Sequence, residues 1–129
     1  MTVPADVLTR LRELCLGLPE TYEEQAWIGT RWRIRKKTFA HTFVIEDGHP
    51  EYYAKVATAE GTILTFRSPP EELHALSNGG HPFFKTVWPP DMIGMAIEDD
   101  VDWAEVAELL TESYRVLAPQ KLGRLLGEG

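Results

Sequence analysis

One cysteine, Cys15, stands in 129 residues, which excludes an internal disulfide and any four-thiolate zinc site. No apolar run approaches the ~20 residues of a membrane-spanning helix. Acids and arginines are scattered through residues 1–20, so this segment reads as a helix and not as a secretory signal. Positive charge is in deficit: 13 Lys+Arg face 20 Asp+Glu, a formal net charge of −7, so the chain as a whole does not attract a polyanion. No glycine-rich phosphate loop follows a strand, and neither HExxH nor GxSxG occurs. His41, His49, His74 and His81 lack metal-ligand spacing. The expectation is a cytoplasmic, non-enzymatic protein with no metal, no cofactor and no membrane association. With 43% hydrophobic and 26% charged residues it forms one domain over 1–129 with its own core.

What is present is patterned. Val7, Leu8, Leu11, Leu14, Cys15 and Leu18 recur at helical spacing, with Pro4 in the first turn and Gly17 and Pro19 at the end. Cys15 falls on the apolar stripe and reads as a buried structural thiol. The middle of the chain alternates with the two-residue period of half-buried strands. Arg31, Arg33 and Arg35 interleave with Trp32 and Ile34, and Phe39, His41, Phe43 and Ile45 follow. Asp47-Gly48 and Glu60-Gly61 mark turns, so 52–57 and 63–67 read as further strands of an antiparallel meander. Ser68 followed by Pro69, Pro70, Glu71 and Glu72 reads as a serine-capped helix start, ending near Asn78-Gly79-Gly80. Residues 92–98 read as a last strand. Trp103, Val106, Ala107, Leu110, Tyr114 and Leu117 then define the strongest helix, opened by Asp102 with Glu105 three residues on and ended by Pro119. The expected core is Leu8, Leu11, Leu14, Trp27, Phe43, Ile45, Phe66, Leu76, Ile97, Trp103, Val106, Leu110 and Tyr114.

Charge is distributed unevenly. Five of the thirteen cations occupy residues 31–37. On a regular strand Arg31, Arg33 and Arg35 share one face, where three guanidiniums reach successive phosphates or a row of carboxylates. Lys55, Arg67 and Lys85 join them if their strands are neighbours. The aromatics Trp32, Phe39, Tyr52 and Tyr53 lie close in sequence, and cations interleaved with aromatics on a sheet make a nucleic-acid surface. The competing explanation is an outer strand whose charges prevent edge pairing and find partners among the acids. At the other extreme, residues 98–112 hold seven acids and no base, a solvated face or a docking face for a basic partner. Phe83, Phe84 and Trp88 gather in 79–90, as a plug for the core or as the wall of a small-ligand pocket.

Several strings recur together in a known order. These are Gly17-Leu18-Pro19 followed by Glu24, Trp27 and Gly29; Lys37-Thr38-Phe39-Ala40; and Tyr53-Ala54-Lys55. Glu72-Leu73 with Leu76, His81-Pro82-Phe83-Phe84, Asp102-Trp103-Ala104-Glu105, Glu112-Ser113-Tyr114 and Ala118-Pro119 complete the set. In order and spacing the chain resembles the MmcQ/YjbR family of small bacterial proteins, over about residues 11–122. The resemblance implies an α+β domain: an antiparallel sheet of five or six strands with N- and C-terminal helices packed against it. Such a fold is similar to frataxin-like and secretion chaperone-like folds. A frataxin-like iron role would want an acidic ridge on the first helix, which here has only Asp6 and Glu13 with Arg10 and Arg12 between them. The resemblance also implies DNA binding through a proposed winged surface, and it identifies no enzyme activity.

The expected role is therefore a binding module for DNA. Arg31, Arg33, Arg35, Lys36 and Lys37 make the phosphate contacts, Lys55 and Arg67 extend the patch, and Trp32 or Tyr53 stacks on a base. The alternative is a protein-interaction or chaperone-like module, monomeric or homodimeric, that uses the sheet face or the acidic C-terminal helix.

Overall fold

The computed structural model describes residues 2–57 and 59–126. The fold is α+β. Six strands form one antiparallel sheet: β1 (Tyr22–Gln25), β2 (Thr30–Ile34), β3 (Lys37–Ile45), β4 (Gly61–Arg67), β5 (Phe83–Lys85) and β6 (Met92–Ala96). Their order across the sheet is β1-β2-β3-β4-β6-β5. The expected meander holds for β2 and β3 but not for residues 52–57, so that β3 pairs directly with β4, after which β6 takes the inner place and β5 the edge. The helices are α1 (Ala5–Leu16), α2 (Glu51–Ala54), α3 (Pro70–Asn78), α4 (Trp103–Leu117) and α5 (Gln120–Gly123). Among the described residues no helix is long and apolar enough to cross a membrane.

One face of the sheet carries the main core. Trp32, Ile34, Leu64, Phe66, Ile93 and Met95 meet Leu11 and Cys15 of α1 and Val106, Leu110 and Tyr114 of α4. Ser113 ties α4 to the sheet: its Oγ donates to the Phe39 carbonyl at 2.6 Å and accepts from the Arg67 amide at 2.7 Å. The Tyr114 ring meets Phe39 edge-on at 5.8 Å, and its hydroxyl donates to the Pro19 carbonyl at 2.8 Å. A buried aromatic with its polar tip satisfied combines a large apolar area with no desolvated donor. Asp102 caps α4 as its sequence predicts, accepting from the amides of Ala104 and Glu105 at 3.0 and 3.3 Å. The Cys15 thiol is buried, and burial pushes its pKa well above that of a free thiol.

The opposite face carries a smaller cluster. Phe43, Ile45, Ile63, Phe84 and Ala96 are covered by α2 through Tyr53, whose ring lies 4.5 Å from that of Phe43. Phe84 crosses to Gly94, where an added Cβ would stand 2.2 Å from the ring. Phe84 is thus a core plug, while Trp88 of the same segment is 66% exposed and does not share its pocket.

Several expectations are corrected. Residues 52–57 are not a strand: Pro50 opens the helix α2, and Tyr53 is needed as a lid over Phe43. Trp27 is not core but 72% exposed, because β1 ends at Gln25 and residues 26–29 form the β1–β2 turn, closed by the Ala26 amide on the Gly29 carbonyl. Ser68 does not cap α3; the cap position is Pro69, and the Ser68 hydroxyl turns to the Pro69 carbonyl. Leu8, Leu14, Leu76 and Trp103 pack against the core only partly buried.

Candidate nucleic-acid interface

The cationic cluster is built by β2, the turn after it and the start of β3. On β2, Thr30, Trp32 and Ile34 are buried on the helix side, which sends Arg31 and Arg33 to the other face. The pairing shifts register between Trp32 and Arg33, so Arg31 sits opposite His41 and Arg33 opposite Thr38. The row of three does not continue to Arg35. Ile34 pairs with Lys37, and Arg35 and Lys36 are the two central residues of the hairpin turn, with φ of 53° and 67°. Arg35, Lys36 and Lys37 are exposed at this apex.

Carboxylates meet the guanidiniums. Tyr22–Gln25 pairs antiparallel with β2, placing Glu24 opposite Arg31 and Tyr22 opposite Arg33. Glu24 Oε1 accepts from Arg31 Nε and Nη2 at 3.0 and 2.7 Å and from Arg33 Nη1 at 3.3 Å. These bonds, those from Arg31 foremost, hold the Glu24 carboxyl below the usual carboxylate range. Arg33 also donates through Nη2 to the Lys36 carbonyl inside the turn. Arg35 reaches Glu20 at 2.9 Å in a pair exposed on both sides. Lys36 and Lys37 have no ion-pair partner among the described residues. The expected open row of three free guanidiniums is thus replaced by an inner pair that shares one carboxylate and a cationic apex.

The remaining candidates divide. Arg67 is brought to the base of the hairpin, where Nε donates to the Thr38 carbonyl at 3.3 Å, but Nη1 is held by Asp91 at 2.9 Å. Lys55 is not brought there: it follows α2, beyond the far end of β3, and lies 5.8 Å over the Tyr52 ring. Lys85 is on the edge strand β5, separated from β3 by β4 and β6. Trp32 is fully buried and donates Nε1 to Glu23 at 2.9 Å, so it cannot stack on a base. Tyr53 is 8% exposed under the same constraint. Glu23 itself accepts two bonds from Arg12 of α1, at 2.9 and 3.0 Å, and these hold its carboxyl below the usual range.

The residues that sequence reasoning missed are Glu20 and Glu24. Their signal was the turn at Gly29, which folds Tyr22–Gln25 back along β2 and makes a strand of a segment too short and polar to show a period of its own. No curated protein matches the chain. The family model for YjbR matches residues 16–116, from the end of α1 through nearly all of α4, and on that match the chain belongs to the YjbR family.

Proposed function

We propose that the protein is a non-enzymatic module that contacts the phosphate backbone of DNA through the apex of the β2–β3 hairpin. The observation that carries this reading is the composition of the turn. A two-residue hairpin loop with φ > 0 at both central positions favours Asn-Gly or Asp-Gly. Here Arg35 and Lys36 occupy those positions, and a left-handed conformation costs an L-residue about 1–2 kcal/mol. A local rule broken in return for only one exposed side-chain pair, Arg35 with Glu20, points to a surface requirement. The apex presents Arg35, Lys36 and Lys37 to solvent, and the exposed Arg35–Glu20 pair is readily exchanged for a phosphate. Arg31 and Arg33 support the hairpin through Glu24 and stand in reserve. No base-reading group accompanies the apex, so the binding is independent of sequence.

Fluorescence anisotropy with a labelled duplex of about 20 base pairs tests the reading. Three phosphate contacts give a slope of log K against log salt of about −2.7, and Lys36→Ala with Lys37→Ala reduces it to about −0.9. Absence of binding at about 20 mM salt, or an unchanged slope in the double variant, refutes the proposal.

A further inference from the structure

Between α3 and α4, on the helix-covered side of the sheet, lies an open groove of about 710 Å³. Leu76 of α3 and Leu109 of α4 give it an apolar floor, and Glu72, Glu105, Glu108 and Glu112 line it above. Positions 105, 108, 109 and 112 follow the three- and four-residue spacing of one helical stripe, so α4 presents its carboxylates and Leu109 together. Across from it, α3 buries none of its residues fully. Among the described residues Glu72, Glu105 and Glu108 have no ion-pair partner, and Glu112 has only Arg115 at 3.9 Å. Groups on α4 from Glu105 to Glu112 span about 10 Å, two helical turns.

We infer that this groove docks a cationic amphipathic helix of a partner protein. The floor accepts leucine-sized side chains at i and i+3 or i+4, and the flanking glutamates pair with lysine or arginine on either side of that stripe. Charge sign excludes an acidic helix, and the leucine floor separates the site from a face that is merely solvated. A segment about two turns long matches the reach of the groove. The inference is independent of the hairpin reading, since it uses different elements and the opposite charge.

The test is NMR titration with a synthetic Lys/Leu peptide of about 14 residues, leucines at helical spacing, beside a scrambled peptide of the same composition. Shifts confined to α3 and α4, with affinity about tenfold above the scrambled control, are expected. Glu105→Gln with Glu108→Gln should weaken binding about tenfold, the value of two well-placed exposed ion pairs. Glu13→Gln with Glu51→Gln, which removes the same charge elsewhere, should change it less than about twofold. At about 0.5 M salt the preference over the scrambled peptide should persist, because floor contacts are not screened. Equal weakening in both pairs of variants, equal affinity for the scrambled peptide, shifts centred on the β2–β3 hairpin or the sheet, or no binding each overturns the proposal. Both double variants replace exposed carboxylates by isosteric amides, and amide spectra of the free proteins establish that each remains folded.

Discussion

Replacing the hairpin apex by the residues its backbone prefers, Arg35→Asn with Lys36→Gly, should make the protein more stable and a weaker DNA binder at once. Both positions hold φ near +60°, 53° and 67°. Relief of two left-handed L-residues is worth about 2–4 kcal/mol gross. Asparagine retains part of that cost, and glycine restores freedom to the unfolded chain worth about 0.5–1 kcal/mol. A net gain of about 1–2 kcal/mol remains. Against this the fold gives up the Arg35–Glu20 pair, whose side chains are 47% and 53% exposed, and such pairs contribute little. The bond from Arg33 to the Lys36 carbonyl survives, since it uses the backbone. For 129 residues the unfolding entropy near the midpoint is roughly 270 cal/mol/K, so the gain appears as a rise in Tm of roughly 4–7 °C.

The same substitution removes two of three apex cations. The salt slope should flatten by about 1.8, so that between about 50 and 200 mM salt the affinity falls about twelvefold less steeply than in the wild type. Thermal denaturation followed by circular dichroism and the anisotropy titration are run on the same preparation. A variant that is less stable would show that Arg35 and Lys36 make contacts that favour them in the turn. One that is more stable yet binds with an unchanged slope would show that the apex does not touch the phosphates. Either result removes the reason for assigning DNA to this hairpin.

Two further outcomes follow from the same geometry. Glu24→Gln should act in the opposite direction, freeing Arg31 and Arg33 and steepening the salt slope by up to about 1.8; an unchanged slope would mean that these guanidiniums face away from the bound duplex. His41 is buried on the α2 side, with Nε2 2.6 Å from the Ile28 carbonyl and its pKa lowered, chiefly by burial. Because the unfolded chain takes up a proton near pH 6.5 while the folded protein keeps His41 neutral, stability should be full above that pH and fall as pH drops through it toward the folded value. Urea midpoints between about pH 8 and 5.5 should show this fall in the wild type and lack it in His41→Gln, and identical pH profiles for the two would remove His41 as the cause.

The parts of the fold legible in the sequence are those with a strong period of their own. Leu11 and Cys15 of α1, and Val106, Leu110 and Tyr114 of α4, are buried as their spacing requires, and Asp102 caps α4. The alternation around Trp32 places it correctly on one side with Ile34, but periodicity does not say which side the helices cover. That side is the tryptophan side, which removes Trp32 from any stacking role. Tyr22–Gln25 is illegible because four residues with two acids carry no hydrophobic signal, and the partners of Arg31 and Arg33 are hidden with it. Tyr52 and Tyr53 have the composition of a strand, yet a four-residue helix uses Tyr53 to seal Phe43, an instance of tertiary packing overriding β-propensity.

A net charge of −7 does not by itself oppose a phosphate contact at the hairpin, because five of the thirteen cations are concentrated there. The hairpin holds five cations, and its carboxylate partners are Glu20 and Glu24, a local excess of three positive charges. Ser113 fixes the C-terminal half of α4 against Phe39, near the base of that hairpin. The unpaired carboxylates of α4 lie back along the helix, Glu108 about 7.5 Å and Glu105 about 12 Å from Ser113 by helical rise, and the apex at Lys36 stands a further ~10 Å beyond Phe39 by strand rise. Their separation from the apex exceeds the Debye length of about 8 Å at physiological salt, whereas Glu112, the acid nearest the hairpin on this helix, has Arg115 beside it. At physiological salt a phosphate at the apex therefore responds to the local cations. At about 0.01 M salt, where screening reaches about 30 Å, the whole chain's negative charge enters the interaction. A plot of log K against log salt should accordingly bend over at its low-salt end, and that curvature separates binding by a basic hairpin on an acidic protein from binding by a uniformly basic one, whose affinity keeps rising.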